Sequence, residues 1–179
     1  MKHAAFLRGL NVGGHRVKMA HLRDLLAGAG FTGVETLLAS GNVVFEAMTD
    51  PAAQVESRIE EVLEGDLGYA VPTFLRSVDE VSAVVDGPFS AEELEGPDYA
   101  HYVLFLKSPI DDEVRRIFEA LQSDRDVFRY GPREVHWLSR GRISESPLFG
   151  GPFEKATRGV PNTMRKATTL RRLVAKYGG

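Results

Sequence analysis

The sequence predicts an α+β fold of two ferredoxin-like (split βαβ) units, and three observations carry that reading. Residues 1–86 alternate short apolar runs with helical periodicity in the order β-α-β-β-α-β, followed by a short helix. Residues 99–179 give β-α-β-β-α-α. Between them, residues 87–98 combine two prolines, two glycines and several acids, the composition of a linker. The element count fits two cores or one core shared by the halves. The halves resemble each other in element order only, and no repeat of residues is visible.

Ala4 to Arg8 is a short strand closed by Gly9. Met19, Leu22, Leu25, Leu26 and Ala29 fall at helical spacing, with Gly28 and Gly30 as the stop. Val34 to Ala39 and Asn42 to Ala47 flank Ser40-Gly41, the signature of a tight hairpin, because glycine accepts the positive φ that such turns need. Asp50-Pro51 opens a helix whose inner face is Val55, Ile59, Val62 and Leu63, with Gly65 and Gly68 ending it. Val71 to Arg76 is an edge strand, since Pro72 cannot donate to a ladder. Right-handed crossovers then place the first strand antiparallel beside the third. Ser77 to Glu80 reads as a capping box, and Ser90 to Glu93 as a cap on a single turn.

In the second half, Tyr99 to Lys107 is a near-continuous apolar strand. Pro109-Ile110-Asp111 leads into a helix with Val114, Ile117, Phe118 and Leu121 inward and acids in its first turn. Asp126 to Tyr130 and Glu134 to Ser139 flank Gly131-Pro132, a second hairpin. Two helices close the chain, about Phe153 to Thr157 and about Thr163 to Lys176, the latter capped by Asn162 or Thr163.

Composition narrows the chemistry. The chain has 179 residues, 43% of them hydrophobic, and no cysteine, which excludes thiol nucleophiles, thiolate zinc sites and redox dithiols within it. The formal charge of -3 hides an asymmetry: residues 1–30 sum to +4, residues 31–139 to -14 and residues 140–179 to +7. With no signal-like start and no apolar run of membrane-spanning length, a soluble cytoplasmic protein without a membrane partner is expected.

The densest candidate site is the loop 8–18, Arg-Gly-Leu-Asn-Val-Gly-Gly-His-Arg-Val-Lys, which runs into a helix start. Arg8, Arg16 and Lys18 supply charge, Asn11 a hydrogen-bonding amide, and Gly13 and Gly14 exposed backbone N–H groups, the means by which proteins hold phosphate. It fits neither the GK[ST] nor the GxGxxG fingerprint, so a plain flexible connection is the competing reading. The expected topology brings Ser40, Gly41 and Asn42 to the same mouth, although such residues also serve turns for their own sake. In the basic tail, Thr163 and Arg165 are candidates for a phosphate-contacting face, against a merely solvated one.

No HxxxH or HExxH spacing links the five histidines, so no metal is expected, and no cofactor is implied. His136 and Trp137 read as packing residues. No GxSxG surrounds Ser40. Phe6 and Phe45 lie on the strands that stack bases in RNA-recognition domains, but core positions under two helices explain both. Three functions stay open: binding of a nucleotide, phosphometabolite or nucleic-acid phosphate; a non-catalytic interaction or self-associating module; and an enzyme acting on a phosphorylated metabolite, for which no catalytic residue can be named. Oligomeric state is not legible.

Phe6-Leu7-Arg8-Gly9-Leu10-Asn11-Val12-Gly13-Gly14, Lys18-Met19-Ala20-x-Leu22-Arg23, Gly30-Phe31 and Ser40-Gly41-Asn42-Val43-Val44-Phe45 resemble the bacterial domain of unknown function 1697 family. The likeness continues through Val103-Leu104-Phe105-Leu106, Gly131-x-x-Glu134-Val135 and Gly159-Val160-Pro161-x-Thr163-x-Arg165, nearly the whole chain. It departs at Lys166-Ala167-Thr168-Thr169, where the family tends to carry Asn-Trp-Asn-Thr, and at Glu145-Ser146-Pro147-Leu148, where Ser-Lys-Leu is usual. The resemblance implies an α/β fold of ferredoxin-like units and brings no established activity.

Overall fold

The computed structural model describes residues 2–38, 41–46, 48–85, 87–94 and 99–179. Strand β1 (Lys2–Leu7) is followed by helix α1 (Met19–Gly28), β2 (Glu35–Leu37), β3 (Asn42–Glu46), α2 (Ala52–Leu67), β4 (Thr73–Ser77) and α3 (Val78–Val84). Then come β5 (Tyr99–Leu106), α4 (Asp112–Glu119), β6 (Asp126–Tyr130), β7 (Glu134–Arg140), α5 (Gly151–Ala156), β8 (Asn162–Lys166) and α6 (Ala167–Tyr177). The strands form two antiparallel sheets in the orders β2-β3-β1-β4 and β6-β7-β5-β8. Each order, with two helices per sheet, is ferredoxin-like. The chain divides into two compact units, residues 1–81 with 173–179, and residues 82–172.

In the first unit Ala5, Leu7, Val43, Phe45 and Leu75 form one sheet face, covered by Leu22 and Leu26 of α1 and by Val55, Ile59 and Leu63 of α2. Phe45 therefore lies under the helices as expected. Phe6 does not: strand alternation turns it to the opposite face, where it is also fully buried.

Strand β4 is an edge strand, and its outward amides are closed by carboxylates. Thr73 N–H donates to Glu60 Oε1 and Leu75 N–H to Glu56 Oε1, both at 2.7 Å. Ser77 N–H donates to Glu80 Oε2 at 2.7 Å, and Glu80 N–H donates back to Ser77 Oγ at 3.0 Å, which completes the expected capping box. Two acids of α2 thus do the work of a fifth strand, and Glu56 is buried in doing so. Helix α2 starts differently from expectation. Pro51 itself occupies the cap position with no side-chain bond, and its carbonyl accepts from Gln54 and Val55 N–H, so Asp50 is not the cap. The end of the chain joins this unit through Glu35, which accepts from Lys176 Nζ at 2.8 Å and from the Tyr177 hydroxyl at 3.0 Å. Those two hydrogen bonds hold the Glu35 carboxyl below its usual range.

The second unit is centred on Trp137, stacked on Phe153 at 4.8 Å and on Phe128 at 5.6 Å. Its indole N–H donates to Asp126 Oδ1, and Ser146 Oγ donates to Asp126 Oδ2. Ser146, in the stretch where the sequence departs from the family it resembles, is thereby a structural residue. The segment expected to be a linker is packed where it is described. Phe89 is buried against His101 and His136, Arg129 bonds Pro88 and Glu93, and Ser90 and Glu93 form the second capping box.

Asn162 to Lys166 is a strand rather than the start of the terminal helix. Pairing along β5 from Leu106 to Tyr102 outweighs the weak helical pattern. The register also uncovers a residue repeat. Phe6-Leu7-Arg8 and Phe105-Leu106-Lys107 end the first strand of each sheet, and Val71-Pro72-x-x-x-Arg76 and Val160-Pro161-x-x-x-Arg165 enter the fourth, Leu7 facing Thr73 as Leu106 faces Asn162. Each arginine donates to the preceding carbonyl, Arg76 to Leu75 and Arg165 to Met164.

Replacing Glu56 by Ala removes a charged acceptor from a buried amide and is expected to cost about 1.5–3 kcal/mol, while Glu56→Gln costs less because its amide oxygen still accepts. Urea denaturation reads both, and unchanged midpoints count against the edge-closing role. A second expectation concerns His136, buried in hydrogen-bonding contact with His101 at 3.2 Å and pushed down to a pKa of about 4 by desolvation. Its folded value lies below the unfolded value near 6.5, so its contribution is complete above pH 6.5 and lost as pH falls toward 4, by at most about 3 kcal/mol. His136→Gln should flatten that part of the stability curve.

Candidate functional site

The end of β1 is tied to the starts of both neighbouring strands. Leu7 N–H donates to Gly41 O at 2.8 Å and Arg8 N–H to Pro72 O at 2.9 Å. The convergence expected from topology is therefore present, and the loop 8–18 leaves from that point.

The loop is anchored at three places. Leu10 is buried in the core of the first unit, and its carbonyl accepts from the Tyr69 hydroxyl at 2.8 Å. Asn11 Oδ1 accepts from Val17 N–H at 2.7 Å, closing the loop across six residues. The His15 ring stacks on Tyr69 with centroids 4.0 Å apart and planes at 27°. Gly13 and Gly14 hold φ of 65° and 89° at the tip, a left-handed pair that turns the backbone outward. Arg8, Arg16 and Lys18 are exposed around it. Among the described residues no carboxylate pairs with Arg16 or Lys18.

Helix α1 begins with no side-chain cap and no acid in its first turn, Lys18 standing at the cap position. The equivalent helix of the second unit is built in the opposite way: Asp111 Oδ1 accepts from Val114 N–H at 2.8 Å, and Asp112 and Glu113 follow. One helix start is filled by the chain's own carboxylate, and the other has Lys18 at its cap position with Arg16 two residues before it. In the first turn of α1, His21 Nε2 meets Asp66 Oδ2 at 2.6 Å, joining α1 to the end of α2.

The hairpin residues have different tasks. Asn42 is buried, and its side-chain N–H donates to Leu37 O at 3.0 Å, so its amide shapes the turn. Gly41 has φ of 71°, and a Cβ there would come within 3.1 Å of Leu7 Cβ and 3.2 Å of Leu7 O. Ser40 lies outside the described residues. Thr163 and Arg165 belong to the second unit, on β8. Thr163 is buried, and the Arg165 guanidinium donates to Thr163 Oγ1 and Met164 O, both at 2.8 Å. Burial lowers the Arg165 pKa to about 10, which leaves it charged at neutral pH. Tyr69 and the His21–Asp66 pair were not singled out by sequence patterns. The one signal for Tyr69 was its place just ahead of β4, at the edge where the mouth forms.

Among the described residues no three metal-ligating side chains cluster, and no helix is long and apolar enough to cross a membrane. Sheet orders and mouth together define a protein of paired ferredoxin-like units with a glycine-rich cationic turn after its first strand. The chain belongs to the family described as protein of unknown function (DUF1697), whose sequence profile matches residues 1–136. Its structure is similar to that of the conserved bacterial protein SP0830 from Streptococcus pneumoniae, with a TM-score of 0.77 and 24% identity over 99% of this chain and 98% of that chain. At that identity the likeness is one of fold. No curated protein matches the chain.

Gly41→Ala combines a left-handed backbone with a clash against the Leu7 carbonyl and is expected to destabilise by more than the roughly 1–2 kcal/mol of the left-handed conformation alone. Gly14→Ala, where a Cβ meets nothing within 4 Å, carries only the conformational cost. Thermal or urea unfolding of the two variants separates the terms, and equal losses would remove the close approach as a cause.

Proposed function

We propose that this protein binds a small phosphate-bearing anion at the mouth formed by loop 8–18 and hairpin 40–42. The observation that carries the reading is the contrast between the two helix starts. At α4 the N–H groups meet the Asp111 carboxylate, whereas α1 opens uncapped beside Arg16 and Lys18. A helix start and successive backbone N–H groups at a left-handed glycine pair favour negative charge, and nearby cations add to the same field. Arg8, Arg16 and Lys18 supply charge to the ligand, Gly13 and Gly14 supply backbone donors, and Asn11, Gly41 and Asn42 hold the loop and hairpin in place. Thr163 and Arg165 are left out of this site, since Arg165 serves β8.

Thermal unfolding with inorganic phosphate, pyrophosphate, ribose 5-phosphate and nucleotides tests the proposal. A binding anion at one hundred times its dissociation constant adds about 2.7 kcal/mol of apparent stability. The double variant Arg16→Ala/Lys18→Ala is expected to lose that increment while its ligand-free Tm stays close to the parent value. No stabilisation by any of these anions overturns the reading.

A further inference from the structure

We infer that the ligand of this mouth is a nucleotide unit whose base stacks on His15, an inference that rests on the anion reading above and adds the body that carries the phosphate. A bare phosphate or a sugar phosphate needs only charge and donors. The mouth offers more than these. His15 is exposed, yet its ring is fixed by the stack on Tyr69, which is itself held through its hydroxyl to Leu10 O. An aromatic ring already ordered before binding makes a stacking platform with little further entropy to lose.

Glycine surrounds that ring on its N-terminal side. A Cβ at Gly13 would lie 3.9 Å from His15 Cδ2, so a side chain there would contact the imidazole that glycine leaves bare, and one at Gly14 meets nothing within 4 Å. Two of the large hydrophobic side chains left exposed among the described residues belong to the same mouth. Val12 is 62% exposed at the loop tip, and Leu38 is 47% exposed in the hairpin turn with φ of 60°, a conformation that a leucine rarely keeps. Exposed apolar atoms beside cations suit a ligand with both an apolar plane and a charged end.

The arrangement also sets the selectivity. Arg16 follows His15 directly and Lys18 stands two residues beyond Arg16, both exposed, so cations adjoin the platform along the loop. The Asn11 amide oxygen accepts from Val17 N–H, which commits it to closing the loop. Stacking without edge recognition tolerates different bases, with purines favoured by their larger plane.

Calorimetric titration with AMP, ribose 5-phosphate and a short oligoadenylate tests this in the intact protein and in His15→Ala and His15→Phe. AMP is expected to bind on the order of tenfold tighter than ribose 5-phosphate, the factor of one stacked base. His15→Ala should bring AMP and ribose 5-phosphate to equal affinity, and His15→Phe should keep the preference for AMP. Oligoadenylate binding that exceeds AMP and falls steeply with salt supports the inference with a nucleic-acid strand as the source, and oligoadenylate no tighter than AMP supports it with a free nucleotide. Equal affinity for AMP and ribose 5-phosphate in the parent protein overturns the base platform while the anion reading stands. If neither phosphate ester binds, the base platform is overturned, and the anion reading falls with it when phosphate and pyrophosphate also give no stabilisation.

Discussion

Two backbone hydrogen bonds at the end of β1, Leu7 to Gly41 and Arg8 to Pro72, decide where everything at the mouth can be. They bring three separate stretches of chain to one point: the exit of the central strand, the hairpin that enters β3 and the approach to β4. Because β1 pairs antiparallel with both β3 and β4, the register cannot slip by one residue without exchanging Leu7 and Phe6 between the two buried faces of the sheet. Gly41 makes the first bond possible by its close approach, and Tyr69, placed by the approach to β4, makes the loop rigid. A loop that reads as flexible in sequence is therefore anchored at Leu10, Asn11 and His15.

The charge asymmetry acquires a structural meaning in the first unit. Its acids are not simply a solvated surface: Glu56, Glu60 and Glu80 accept the outward amides of β4, and Glu35 receives Lys176 and Tyr177. Lys2, from the cationic start of the chain, lies 3.7 Å from Glu35 and over the Tyr177 ring. Of the exposed basic residues of this unit, Arg8, Arg16 and Lys18 lie in the loop after β1, while Arg23 and Arg58 bond Thr36 and Ala29 and Lys176 bonds Glu35.

The element order, the antiparallel placement of β1 and β3, the edge position of β4 and the capping boxes at Ser77 and Ser90 were legible because each rests on local chemistry or on a topological rule. So was the cap at Asp111. Strand β8 was not, since its five residues carry no strong alternation and owe their conformation to a partner sixty residues away. The repeat of Phe-Leu-Arg/Lys and Val-Pro-x-x-x-Arg escaped notice because the connections between its blocks differ in length, and only strand register aligns them. At the site, the cationic loop and its glycines were readable. The separate tasks of Asn11 and Asn42 were not, because a carboxamide that closes a turn and one that meets a ligand look alike in sequence. Tyr69 and Asp66 act across gaps of more than forty residues, which no local pattern reports.

The carboxylate-closed edge of β4 has a consequence for the company the protein keeps. An open strand edge is an adhesive, able to nucleate cross-chain sheets during synthesis or stress. Here the outward N–H groups already donate to carboxylates of α2 and α3, so the carbonyls of an approaching foreign strand meet negative charge where they would need donors. Acidic residues that dilute the overall charge to a nondescript figure thus also close this strand edge against pairing.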